Sequence, residues 1–128
     1  MKAYNVAKMK TILLVDNEEK HRVFLKMLFN VKGYDVVTAL DAKQAVEMYK
    51  ANADNIDVVV LDVIKQNMNL IEAAEEIKQF NTNAEIVVTS GQYRDSYEVP
   101  HFIGKSVHPS GLFKFVKEIL GEPAASFI

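Results

Sequence analysis

The sequence predicts an α/β protein built on a doubly wound parallel sheet, and three observations carry that prediction. Residues 55 to 62, NIDVVVLD, form a continuous apolar run ending on one carboxylate, Asp62, as a strand buried on both faces does. Residues 11 to 16, TILLVD, repeat the pattern and end on Asp16. Between and after these runs, apolar residues recur at helical spacing. Strands and helices alternating at this rhythm are joined by right-handed crossovers into a parallel sheet. Ligands of such sheets gather where the strands end, so both acids mark one edge.

Taken in order, residues 1 to 9 carry little pattern and read as a lead-in. The first strand spans Thr11 to Asp16. In the segment after it, Phe24, Met27, Leu28 and Val31 fall at i, i+3, i+4 and i+7, one apolar stripe of an amphipathic helix that Gly33 closes. YDVVTA, residues 34 to 39, makes a second strand. Asp41 can cap a helix whose stripe is Ala42, Ala45, Val46 and Tyr49. The central strand is followed by a helix with Leu70, Ala73, Ala74 and Ile77 on one side, and then by a fourth strand, AEIVVT, over 84 to 89. Residues 99 to 104 suggest a fifth strand, which Pro100 would confine to an edge. Pro109 suits the first turn of a last helix with Leu112, Phe115, Val116 and Ile119 inward. The ordered core is thus expected over about 10 to 121, with a tail beyond.

Composition bounds what such a chain does. At 128 residues it has the length of one domain, and 49% hydrophobic with 25% charged residues is ordinary for a folded soluble protein. A net charge of −2 offers no basic footprint for nucleic acid or an anionic membrane. The absence of cysteine excludes disulfides, thiolate catalysis and cysteine-ligated metal. His21, His101 and His108 lack metal-ligand spacing. No run approaches the length of a membrane span, which points to a cytoplasmic location.

The topology places Asp16, Asp62, Thr89 and Lys105 at one edge, each at or just past the end of a strand. Crowded carboxylates either take up protons or hold a cation. Hard oxygen donors that leave room for water and phosphate oxygens suit Mg²⁺. A hydroxyl and an ammonium opposite them would bind phosphoryl oxygens, so the set describes an aspartate positioned for phosphorylation.

TILLVDNEEKHR, VVVLDV, IVVTSG and FIGKS resemble the motifs of the receiver domain of two-component response regulators, over Lys10 to about Leu120. The resemblance implies a five-stranded (βα)₅, flavodoxin-like fold and phosphoryl transfer from a sensor histidine kinase or phosphotransfer protein. Asp62 resembles the phosphoacceptor and Asp16 an acidic metal ligand. Thr89 and Lys105 resemble the hydroxyl and lysine that contact the phosphoryl group. Ile64 would lend the metal its backbone carbonyl, and Phe102 resembles the aromatic that changes rotamer on activation. The domain would assist its own phosphorylation and dephosphorylation without being an enzyme. It would act as a monomer or weak homodimer.

Departures from the family pattern carry expectations too. Asn17 stands where a second acid is usual, which removes one formal charge and predicts weaker magnesium binding, although its amide oxygen remains a donor. Residues 63 to 70, VIKQNMNL, lack the usual Pro and Gly. Ser106 replaces the proline after the lysine, so a cis X–Pro bond cannot occur there. If 99 to 104 is strand, residues 90 to 98 leave room for a turn or two of a fourth helix at most.

Three rival functions fit parts of the same pattern. A flavin or nucleotide binder of similar fold needs a Gly/Ser/Thr-rich phosphate loop where this chain has DNEEK. An aspartate-dependent phosphatase needs a substrate-recognition insert that the chain lacks. The serious alternative is a degenerate receiver acting as a phosphorylation-independent interaction module, which Asn17 and the shortened segment favour.

Overall fold

A computed structural model describes residues 9–62, 68–89 and 99–121. Five strands, β1 (Thr11–Val15), β2 (Asp35–Ala39), β3 (Val58–Asp62), β4 (Ile86–Thr89) and β5 (Lys105–Val107), form one parallel sheet in the order β2-β1-β3-β4-β5. Four helices complete it: α1 (Glu19–Val31), α2 (Ala42–Asn52), α3 (Met68–Phe80) and α4 (Leu112–Leu120). The chain winds to β2 on one side of β1 and to β3, β4 and β5 on the other. The order therefore reverses between β1 and β3, the position where open sheets of this kind form a crevice.

Strand alternation assigns the two faces. Leu13, Val15, Val59, Leu61 and Val88 pack with Ala45, Val46 and Tyr49 of α2 and Ala73, Ala74 and Ile77 of α3. Ile12, Leu14, Val58, Val60 and Val87 pack with Leu25 and Phe29 of α1 and Leu112 and Val116 of α4. Both faces are covered, which is why β1 and β3 read as unbroken apolar runs. The expected stripes of α2, α3 and α4 face the sheet. Asp41 caps α2 as expected, its Oδ1 accepting from the Gln44 amide at 2.8 Å. Gly33 leaves α1 at φ 104°, a conformation that costs any other residue more.

Two expectations are corrected. On α1 the buried residues are Leu25 and Phe29, whereas Phe24 and Met27 are 61% and 62% exposed and Val31 is exposed as well. The helix is apolar nearly all round, with Val23, Phe24, Leu25, Met27, Leu28, Phe29 and Val31 offering two overlapping stripes, and periodicity alone does not choose between them. Arg22 makes the choice: its Nη1 donates to the Asp16 carbonyl at 2.8 Å and turns the Arg22, Leu25 and Phe29 side inward.

The second correction concerns the fifth strand, which runs Lys105–Val107, after the 99 to 104 stretch expected to form it. Pro100 has no amide hydrogen for a ladder, and its carbonyl instead accepts from the Ile103 amide at 2.9 Å to close a turn. Pairing begins only once Gly104 has passed Ile86, and β5 is an edge strand as Pro100 suggested. The short fourth helix expected within 90 to 98 lies outside the described residues.

Candidate functional site

Register builds the site. Val15 pairs with Leu61 and Asp62 pairs with Thr89, so Asp16, one residue beyond Val15, comes level with Asp62 on the neighbouring strand. Adjacent strands lie about 4.8 Å apart. Asp16, Asp62 and Thr89 are all buried. The structure therefore brings three of the expected site residues together at the carboxyl edge.

Each carboxylate has one oxygen held by the protein. Asp16 Oδ1 accepts from the Glu18 amide at 2.9 Å. Asp62 Oδ1 accepts from the Thr89 hydroxyl at 2.5 Å. The two remaining oxygens turn toward each other, with a third group between them: His21 Nδ1 lies 2.6 Å from Asp16 Oδ2 and 2.6 Å from Asp62 Oδ2. A single N–H serves one acceptor. It is hydrogen-bonded to Asp16, and Asp62 Oδ2, although only 4% of Asp62 is exposed, accepts no hydrogen bond. The His21–Asp62 approach is thus a contact of charge.

The electrostatics follow. Burial lifts the Asp16 pKa from 3.8 to about 6; the Glu18 amide opposes the rise, and nearby Asp62 adds to it. Burial pulls His21 down, but its hydrogen bond to Asp16 and the negative charges of Asp62 and Asp16 outweigh that and leave it above 6.5. Two buried carboxylates with facing oxygens, one lacking a donor, fit a divalent cation by donor chemistry.

His21 escaped the sequence reading. The three histidines lack metal-ligand spacing in the sequence, but Glu18 is the N-cap of α1, its Oε1 accepting from the His21 amide at 2.8 Å. A residue three past the cap sits in the first turn, beside the strand end that feeds the helix. The spacing Asp16 to His21 was the available signal.

The remaining expected residues lie elsewhere. Asn17 is exposed and outside the cluster. Lys105, expected beside Thr89, is exposed at the start of β5 opposite Val87, while Val107 takes the place beside Thr89. The later start of β5 is the reason, and the Lys105 amine makes no hydrogen bond or ion pair among the described residues. Phe102 is exposed in the preceding turn, beside Glu75, Lys78, Gln79 and Thr82 at the carboxyl end of α3, hence near the opposite edge of the sheet from Asp62. Ile64 lies outside the described residues. Among the described residues, no helix is long and apolar enough to cross a membrane.

Comparison with known proteins gives the same picture. A family model described as the response regulator receiver domain matches residues 12–113. The chemotaxis protein CheY of Thermotoga maritima is 30% identical over 118 residues, covering 86% of this chain and 97% of that protein. The autoinducer 1 sensor kinase/phosphatase LuxN of Vibrio campbellii is 34% identical over 82 residues, 64% of this chain, but the match spans only 9% of LuxN. Among solved structures, the response regulator TrrA of Thermotoga maritima in complex with Mg²⁺ and BeF superposes with a TM-score of 0.76 at 28% identity, covering 88% of this chain and all of TrrA. TrrA in complex with the histidine kinase ThkA gives a TM-score of 0.75 at 26% identity, with the same 88% coverage.

Proposed function

Because this chain belongs to the response regulator receiver domain family of two-component systems, we propose that Asp62 accepts a phosphoryl group from a sensor histidine kinase or phosphotransfer protein and that the product changes partner binding. The observation that carries the reading is Asp62 Oδ2, a buried carboxylate oxygen whose lone pairs no hydrogen bond engages. As its bond to phosphorus forms, the bond from phosphorus to the donor's imidazole nitrogen breaks, and the leaving imidazole keeps the electron pair and takes a proton. Thr89 holds the other Asp62 oxygen and so fixes which one faces the donor.

Asp16 and Asp62 are the side chains that would hold Mg²⁺, with the Asn17 amide oxygen and the Ile64 carbonyl proposed beside them. Bound there, the ion would neutralise the charge that gathers on the phosphoryl oxygens. The protein's own share is alignment: the Glu18 amide and Thr89 hydroxyl orient both acids before a donor arrives. The TrrA complex with Mg²⁺ and BeF supports this role by likeness. The intact set of Asp16, Asp62 and Thr89 supports phosphoacceptance over an interaction module that needs no phosphorylation. The arrangement gives Lys105 and Phe102 no contact with Asp62, so their expected parts are not included.

Mass spectrometry after treatment with acetyl phosphate and Mg²⁺ tests the proposal. One phosphoryl adduct is expected on the wild-type chain and none on Asp62→Asn. An adduct that survives the substitution, or none on the wild type, would sink it.

The outer face of α1, with Val23, Phe24, Met27 and Val31 exposed beside the turn that bears His21, is the apolar surface we propose for docking a phosphodonor protein. Met27→Glu should then slow transfer from a cognate kinase about tenfold, the loss of roughly one interface anchor, while labelling by acetyl phosphate stays unchanged. Equal loss with both donors would show that the face does not dock the kinase.

A further inference from the structure

We infer that His21 is a third metal ligand, so that this site prefers a first-row divalent transition ion, Mn²⁺ or Zn²⁺, over Mg²⁺. The inference rests on the phosphoacceptor reading only in sharing its pocket. Asp16 Oδ2, Asp62 Oδ2 and His21 Nδ1 come from the ends of β1 and β3 and the first turn of α1, and they converge on one small volume. Both carboxylates are oriented from behind, Asp16 by the Glu18 amide and Asp62 by Thr89. Such outer contacts set a metal site's donors before the ion arrives.

The second observation is the unsatisfied acceptor. Asp62 Oδ2 is buried, faces the imidazole nitrogen at 2.6 Å and accepts no hydrogen bond. A proton on Nδ1 satisfies one of the two acids; an ion among the three satisfies both and takes the nitrogen lone pair as well. Cis ligands of an ion with bonds of about 2.1 Å stand about 3 Å apart. The His21 ring, whose side chain is 36% exposed, is the donor with room to withdraw by that difference.

The chemistry of the donors then sets the preference. Mg²⁺ takes oxygen ligands and gives up water reluctantly. Imidazole suits Zn²⁺, and the affinity of a given site rises from Mn²⁺ to Zn²⁺ along the first row. The nitrogen donor adds to that order a contact that Mg²⁺, an oxygen-seeking ion, does not favour.

Calorimetric titration of the full chain with Mg²⁺, Mn²⁺ and Zn²⁺ tests this, together with pulsed electron paramagnetic resonance of the Mn²⁺ form. Mn²⁺ should bind at least about tenfold more tightly than Mg²⁺, on the scale that one metal-site contact carries, and its spectrum should show coupling to a ligand nitrogen that changes on isotopic labelling of histidine. His21→Ala should abolish the nitrogen coupling and narrow the preference for Mn²⁺ over Mg²⁺ about tenfold. Equal affinities in the wild type without nitrogen coupling would overturn the inference, and an adduct on Asp62 in the same sample would leave the phosphoacceptor reading standing. Failure to bind any divalent ion together with failure to form the adduct would overturn both. The isotope measurement needs no variant, so a poorly folded His21→Ala does not rescue the idea.

Discussion

Asp16→Asn should raise the thermal midpoint of the metal-free protein at pH 8 by about 5 to 10 °C and abolish stabilisation by Mg²⁺. Asp16 is held in the fold with its pKa at about 6, above the 3.8 of a free aspartate. The folded state therefore binds the Asp16 proton more tightly than the unfolded chain does. That contribution is fully present below about pH 4 and is lost as pH rises through about 6. At pH 8 the ionised Asp16 costs on the order of 2 to 3 kcal/mol relative to its protonated form. His21 has the same sign: raised above 6.5, it stabilises the fold while protonated and ceases to as pH passes its folded value.

Asparagine removes the charge and keeps the useful geometry. Its Oδ1 still accepts from the Glu18 amide, as Asp16 Oδ1 does at 2.9 Å, and its Nδ2 brings donors to the side where Asp62 Oδ2 has none. Differential scanning calorimetry from pH 5 to 8, with and without Mg²⁺, reads both effects. The wild type should lose stability across that range without the ion and recover it with the ion; the variant should show a flatter profile and no response. A variant that melts below the wild type at pH 8 would show that repulsion and burial at Asp16 do not weigh on the fold.

Gly104→Ala should cost about 2 to 4 kcal/mol, the range of a severe backbone clash. A Cβ at position 104 would stand 1.8 Å from the Ile86 carbonyl oxygen and 2.7 Å from its carbon. Both are backbone atoms of β4, a central strand, so relief requires β5 to lift away. That displacement would break the pairs Val87–Lys105, Val88–Ser106 and Thr89–Val107. Urea denaturation gives the loss of stability, and hydrogen exchange should show it concentrated in residues 103 to 107. Gly111→Ala is the control, since its Cβ would meet nothing within 4 Å, and it should lie within about 0.5 kcal/mol of wild type. Equal effects from the two substitutions would mean that position 104 does not make the close approach that sets where β5 begins.

Much of the fold was legible because its signals are local. A strand covered on both faces needs apolar residues at every position, so VVVL and TILLV marked β3 and β1, and the acids after them marked where the strands end. The inward stripes of α2, α3 and α4 were readable because each has one apolar side. Failure on α1 has the opposite cause, since two apolar stripes compete there and a tertiary hydrogen bond from Arg22 selects between them. The candidate site divides in the same way. Asp16, Asp62 and Thr89 were found because each ends a strand whose neighbour is fixed by topology, whereas His21 sits on a helix and joins them only through the cap at Glu18.

What the sequence determined alone was the alternation of strands and helices and the placing of two acids and a hydroxyl at one edge, because strand period and strand ends are properties of short segments. Only the tertiary structure decided which side of α1 faces the sheet, that the His21 nitrogen stands between the two carboxylates, and that β5 starts at Lys105 and leaves its amine outside. These depend on register and packing between segments far apart in the chain, where a shift of one or two residues moves a side chain from one edge or face to another.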